Sequence, residues 1–290
     1  MTDGGYFPAD RSILRRVHSE RSVGLLYGQR ALMIGALNAL NFIGTYEHTK
    51  AKLQPFQRLA RTAEAFETIF FGTRAEADQV LERVHRLHQP VKGRTERDEG
   101  PLPAGSAYSA FDPELMLWTL AVIADSGPYF YELFVRPLSA EEHEQLWGEY
   151  VRFGELFGMP AEVAPGTHRE FRDYYERFLS SDDAHLTEVA RGIGYATAFE
   201  IPLPSLYGPA KRVHDLIMLG SLPPAVRRHY GLGWSPAHAA AFRAAVASVR
   251  ATRPVTPRRI RRGTNTDSFR LVARTERRRI EHGDPTPQVL

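Results

Sequence analysis

The stretch "AEADQVLERVHRLHQPVKG", residues 75–93, decides the fold class. Set at about 100° per residue, Ala77, Val80, Leu81, Val84, Leu87 and Val91 fall on one stripe with charge opposite, and Pro90 with Gly93 stops the helix. His88 falls within about 20° of Ala77 and Leu81, so its imidazole points where apolar side chains point. His85 sits at the edge of the stripe. An inward imidazole needs a hydrogen-bond partner or a metal, because leaving it unsatisfied costs on the order of 1–3 kcal/mol. By pattern alone, a satisfied core histidine is the commoner outcome.

The same period recurs through most of the chain, while period-two alternation bounded by turn residues is scarce. The expected class is all-α. Helices are predicted near 11–20, 24–48, 54–72, 74–89, 112–134, 139–157, 168–180, 184–198, 206–220, 223–230, 236–250 and 267–281. Residues 92–109, "KGRTERDEGPLPAGSAYS", are dense in charge, Gly and Pro and are expected to be a mobile connector or lid. The flanking apolar segments resemble one another in character. One large helical domain over 1–250 is therefore expected, followed by a basic C-terminal extension over 251–290.

With 290 residues and 43% hydrophobic side chains, the chain has enough apolar material for a sizeable core. The absence of cysteine excludes disulfides, thiolate metal sites and a thiolate haem ligand. The start, "MTDGGYFPADRSILRR", carries charges and a proline where a signal peptide needs an apolar core, which suits a cytoplasmic protein. The uncharged run Ala31–Tyr46 is 16 residues long with two asparagines and two glycines, and it is expected to be a buried helix. Residues 251–290 hold ten arginines against four acids. Their blocks "RRIRR" and "RTERRRIEH" could meet nucleic acid or anionic lipid, but packing on the acidic body is favoured. Phe269, Val272 and Ile280 lie within about 80° of one another, enough for one docked face.

The helix "PFQRLARTAEAFETIFFG", residues 55–72, repeats the anomaly of the inward histidine with charge. Arg58, Thr62, Ala65 and Ile69 share a face with Arg61 at its flank. Taken alone, two arginines snorkelling to water explain this. Beside an inward histidine, they suit a cavity holding an anionic or oxygen-bearing species. In the run 31–46, Gly35, Ala36, Ala39 and Gly44 remove bulk and permit close approach of a helix or of a flat cofactor.

The ordered set "GQRALMIGALNALNFIGTYEHT", "RLART", "FGT", "VHRLHQPVKG", "YSAFDPELMLW", "PLSAEEHEQLW", "FGMP" and "SLPPAVRRHYGLGW" resembles the catalytic domain of the MpaB-type oxygenases and rubber oxygenases (latex clearing proteins), over about residues 22–245. The resemblance implies a globin-like helical core around haem b, a haem-dependent oxygenase activity, and dioxygen with an apolar olefinic or aromatic small molecule as substrates. The family's H-x-x-V-x-G element is "HQPVKG" here, which makes His88 the proximal iron ligand. Its R-x-x-[KR]-T element places Arg58, Arg61 and Thr62 on the distal side. A lysine there can occupy the sixth iron position in rubber oxygenases, but Arg61 stays protonated and is a poor ligand. Two positions depart from the family pattern: Asn38-Ala39 stands for His-Pro, and Leu120 for a histidine. His48 in "YEHT" matches the family.

Two other function classes compete with this one. Glu82 and His85 form the Glu-x-x-His pair of a di-iron carboxylate site, but no other glutamate of the chain repeats that offset. A non-catalytic helical protein could bind nucleic acid or anionic membrane through its arginine-rich C-terminus. Under the oxygenase reading no nucleic-acid partner is expected, and the basic tail leaves a peripheral membrane contact open.

Overall fold

The computed structural model describes residues 4–48 and 54–284. In chain order its helices are α1 (Ile13–His18), α2 (Arg21–Gly24), α3 (Tyr27–Gly35), α4 (Ala39–Glu47), α5 (Pro55–Phe71), α6 (Arg74–His88), α7 (Pro113–Phe134), α8 (Ala140–Leu156), α9 (His168–Ser180), α10 (Glu188–Phe199), α11 (Gly208–Ser221), α12 (Pro224–Tyr230), α13 (Pro236–Thr252), α14 (Arg258–Arg261) and α15 (Thr266–Glu281). The fold is all-α. Among the described residues no helix is long and apolar enough to cross a membrane.

The core gathers around α7, which is launched by Asp112 accepting from the Glu114 amide at 3.0 Å and by Pro113 in its first turn. Helices α1, α2, α3, α8 and α13 pack around it. Trp118 is fully buried and donates from Nε1 to the Gly35 carbonyl at 3.1 Å, which ties α7 to the end of α3. Deeper in, Arg30 donates to Asp125 at 2.6 Å, to the Ser126 hydroxyl at 2.8 Å and to the Ser221 carbonyl at 3.0 Å. Arg172 closes the other side of the Asp125 carboxylate. A guanidinium buried this deeply persists because Asp125 meets its charge, Nε and Nη1 have acceptors, and the Tyr129 ring lies 4.4 Å from its central carbon.

The single helix expected over 24–48 is broken twice. One break falls at Leu25–Leu26, and the other at Ala36–Asn38, where the Asn38 side chain accepts from the Asn41 amide at 3.0 Å and starts α4. An asparagine inside an uncharged run competes with the helix for backbone donors, so it begins a helix instead of continuing one. Residues 92–109, expected to be a mobile connector, include an antiparallel pair, β1 (Lys92–Arg94) with β2 (Ala107–Ser109), in register Gly93 to Tyr108. Thr95 is buried behind it; its hydroxyl donates to the Pro103 carbonyl and accepts from the Ser106 amide, both at 3.0 Å.

The arginine-rich segment lies along α5 as α15, with Phe269, Val272 and Ile280 half-buried. Upstream of α15, Glu20 accepts from Arg253 at 2.7 and 2.9 Å and from Arg262 at 2.9 Å.

Candidate functional site

Helices α5 and α6 form a hairpin whose turn is only Gly72-Thr73. A Cβ on Gly72 would stand 2.6 Å from the Thr68 carbonyl oxygen, so the tight turn needs glycine. Thr73 then begins α6 with a capping box: its amide donates to Glu76 at 2.8 Å and its hydroxyl accepts from the Glu76 amide at 3.2 Å. The sequence "FGT" is thus a reversal signal. It brings the start of α5, with Arg58, Arg61 and Thr62, to the same end as the finish of α6, with His85 and His88.

His88 is half-buried, and among the described residues neither ring nitrogen makes a hydrogen bond. Its nearest aromatic neighbour is Phe111, with ring centroids 6.3 Å apart. Desolvation, then the positive fields of His85 and Arg58, lower its pKa below the ordinary histidine value. His85 is exposed and rests on Phe111 at 4.7 Å. Arg58, Arg61 and Thr62 are all exposed. Desolvation nevertheless lowers the pKa of Arg58 below the ordinary arginine value.

The predicted stripe on α6 is covered only at its start. Ala77 is buried and Val80, Leu81 and Val84 are half-buried, but Leu87, expected inward, is 65% exposed. Among the described residues, protein therefore leaves the last turn of α6, at Leu87 beside His88, largely uncovered. The small residues of the 31–46 run serve protein contacts: a Cβ on Gly35 would meet Val122 of α7 at 3.5 Å, and one on Gly44 would meet the Tyr108 ring at 2.8 Å. Tyr108 bonds Glu47 and stands 3.4 Å from His48 Nε2, which ties the family histidine to the hairpin rather than to His88. Of the departures, Asn38 is the α4 cap, Ala39 is buried, and Leu120 is core with 4% exposure.

Sequence reasoning missed Glu276. Its buried carboxylate accepts from the amides of Phe56 at 3.1 Å and Gln57 at 2.9 Å, the first turn of α5, where Gln54 supplies no side-chain cap. Burial raises its pKa, while the two amide hydrogen bonds act the other way. The only available signal was an acid, Glu276, set among the arginines of "RTERRRIEH". Glu82 pairs with Arg86 on the surface, and among the described residues no group of three or more His, Cys, Asp or Glu could hold a metal ion; the Glu82–His85 pair gathers no further carboxylates. A cavity of about 480 Å³ lies elsewhere, beside Phe71 at the far end of α5.

A family described as ER-bound oxygenase mpaB/B'/rubber oxygenase, catalytic domain, matches residues 15–251, and the chain belongs to it. Two uncharacterized proteins, from Mycobacterium bovis and Mycobacterium tuberculosis, are each 25% identical over 190 residues, covering 65% of this chain and 71% of theirs. No solved structure matches the chain.

Proposed function

We propose that this member of the mpaB/rubber oxygenase catalytic-domain family is a haem b-dependent oxygenase acting on an apolar, olefinic or aromatic small molecule. The observation that carries the reading is His88, a half-buried imidazole with both nitrogens unpaired among the described residues, beside the exposed Leu87 at the open end of the α5–α6 hairpin. These residues fit a flat apolar group held through an imidazole, because Val84, Leu87 and Phe111 would supply apolar wall and His88 a lone pair. When bound, the haem would supply the dioxygen chemistry of the reaction.

The chain's own residues then divide the work. His88 would hold the group. Arg58 and Thr62, one turn apart on the exposed face of α5, present donors toward charge that develops on oxygen during oxygenation. Arg61, permanently protonated, adds positive potential at their flank without competing as an iron ligand. Phe111 and Leu87 keep the approach apolar, which favours a substrate without charge.

The test is haem content and absorption spectrum after expression with haem supply. The parent is expected to carry haem near one per chain, His85→Ala to keep it, and His88→Ala to lose it. Arg58→Ala should keep haem and lose roughly 10²–10³-fold in turnover, the range of a missing charge-stabilising donor. Full haem content in His88→Ala, or a parent that takes up no haem, overturns the reading.

A further inference from the structure

We propose that the cleft between α1 and the α14 turn binds a small phosphate-bearing anion with at least two negative charges. The cavity there, about 480 Å³, is lined by Arg11, Arg15, Arg16, Arg258 and Arg262 against a single acid, Asp10. That volume lies in the range of small-molecule sites. It lies at the opposite end of α5 from Arg58, thirteen residues or roughly 20 Å along the helix, and is a separate site.

Two of the five guanidiniums are already committed: Arg16 pairs with Glu142, and Arg262 donates from Nε to Glu20 at 2.9 Å. Among the described residues no carboxylate pairs with Arg11, Arg15 or Arg258. Arg15 is nevertheless held in place: Nη1 donates to the carbonyls of Phe7 at 3.2 Å and Phe70 at 3.4 Å, and its guanidinium carbon stands 5.6 Å from the centre of the Phe71 ring. Carbonyls fix its position without cancelling its charge. Arg11 and Arg258 are exposed and reach the same space from opposite walls, one before α1 and one at the start of α14.

The walls are locked together. The Gly263 amide donates to the Ser19 carbonyl at 2.9 Å, and Glu20 forms an isolated antiparallel bridge with Arg262. Gly263 has φ +137°, a backbone conformation that favours glycine, where the chain turns against Ser19. Three uncancelled guanidiniums against Asp10 leave two positive charges in a preformed cleft. Guanidinium forks match phosphate oxygens in pairs, which favours a phosphate-bearing anion over a monocarboxylate.

Calorimetric titration of the full chain with sodium pyrophosphate at low ionic strength tests this. Saturable binding at one site per chain is expected, weakened roughly tenfold or more by Arg11→Ala or by Arg258→Ala and abolished by both together. Both side chains are exposed, so circular dichroism should show the variants folded. Arg259→Ala, on α14 but outside the cavity lining, should bind like the parent. Absence of pyrophosphate binding by the parent, binding that survives the double variant, or equal weakening by Arg259→Ala overturns the proposal. So does binding confined to duplex DNA or phosphatidic acid vesicles with pyrophosphate inert.

Discussion

Lowering the pH from 7.5 to 5 should remove about 2 kcal/mol of stability through one residue, His18. Its ring is 3% exposed, stacks on Phe70 at 4.6 Å and sits 2.8 Å through Nε2 from the Tyr150 hydroxyl, while Nδ1 is buried without a partner. Desolvation lowers its pKa to about 3. In the unfolded chain it returns to about 6.5. Between those values the unfolded state binds more protons, so stability rises with pH through the window and is lost as pH falls below 6.5. At pH 5 the unfolded imidazole is about 97% protonated and the folded one nearly neutral, and the linkage integral is then about 2 kcal/mol. The result barely changes if the folded value moves by a unit, because pH 5 stays above it. Urea unfolding of the parent and of His18→Gln at both pH values isolates the contribution, since glutamine can still bond Tyr150 but does not titrate. The variant is less stable at pH 7.5, yet its loss between pH 7.5 and 5 should be smaller than the parent's by about 2 kcal/mol. Equal losses in the two proteins would refute the reasoning.

Asp125→Ala strands Arg30, which is 3% exposed, with no carboxylate, and should cost about 3–5 kcal/mol, or roughly 10 °C in Tm by calorimetry. Replacing the pair together, Arg30→Met with Asp125→Leu, should cost less than the single change. Glu276→Ala removes the acceptor for the Phe56 and Gln57 amides and should cost about 1–2 kcal/mol, with faster hydrogen exchange confined to the first turn of α5 and recovery in Glu276→Gln. Glu20→Ala leaves Arg253 and Arg262 without their shared carboxylate, and limited proteolysis should then cut between α13 and α15.

Helical period was enough to locate most elements, because a buried stripe and a cap are local facts: 168–180 is predicted and found with the same limits. The failures are also physical. In composition Asn38 is a polar residue inside an uncharged run, but its side chain competes for the backbone and breaks the helix there. The hairpin at 92–94 and 107–109 carries charge and glycine, since its exposed strands need no apolar alternation, and its order comes from Thr95 and Tyr108 inside it. At the site, phase singled out His88 correctly as the more buried of the two imidazoles, but it could not see that Leu87 on the same stripe lacks a cover. A stripe tells which face seeks burial, and only the packing tells whether protein provides it. Nor could spacing pair Glu276 with residues some two hundred positions earlier.

That pairing changes what the basic extension is for. The outward face of α15 carries Arg270, Arg274, Arg277 and Arg278, all exposed, while Glu276 is its buried residue. A charge pattern read along the sequence sees only the arginines, yet the inward acid makes the structurally specific contact. Helix α5 opens with Pro55 and has no side-chain cap of its own, so its first amides would be left to water without this carboxylate. A negative group also suits the positive end of the helix dipole. Gln57, whose amide is held at 2.9 Å, directly precedes Arg58, and Thr62 lies one turn further on. The extension therefore fixes the start of the helix that carries both proposed distal donors, while among the described residues no hydrogen bond or ion pair joins it to His88. Loosening the extension should thus disturb the Arg58 side of the site before the His88 side, since α15 is also tied to α5 by Arg270, which donates to Glu64 at 2.7 Å.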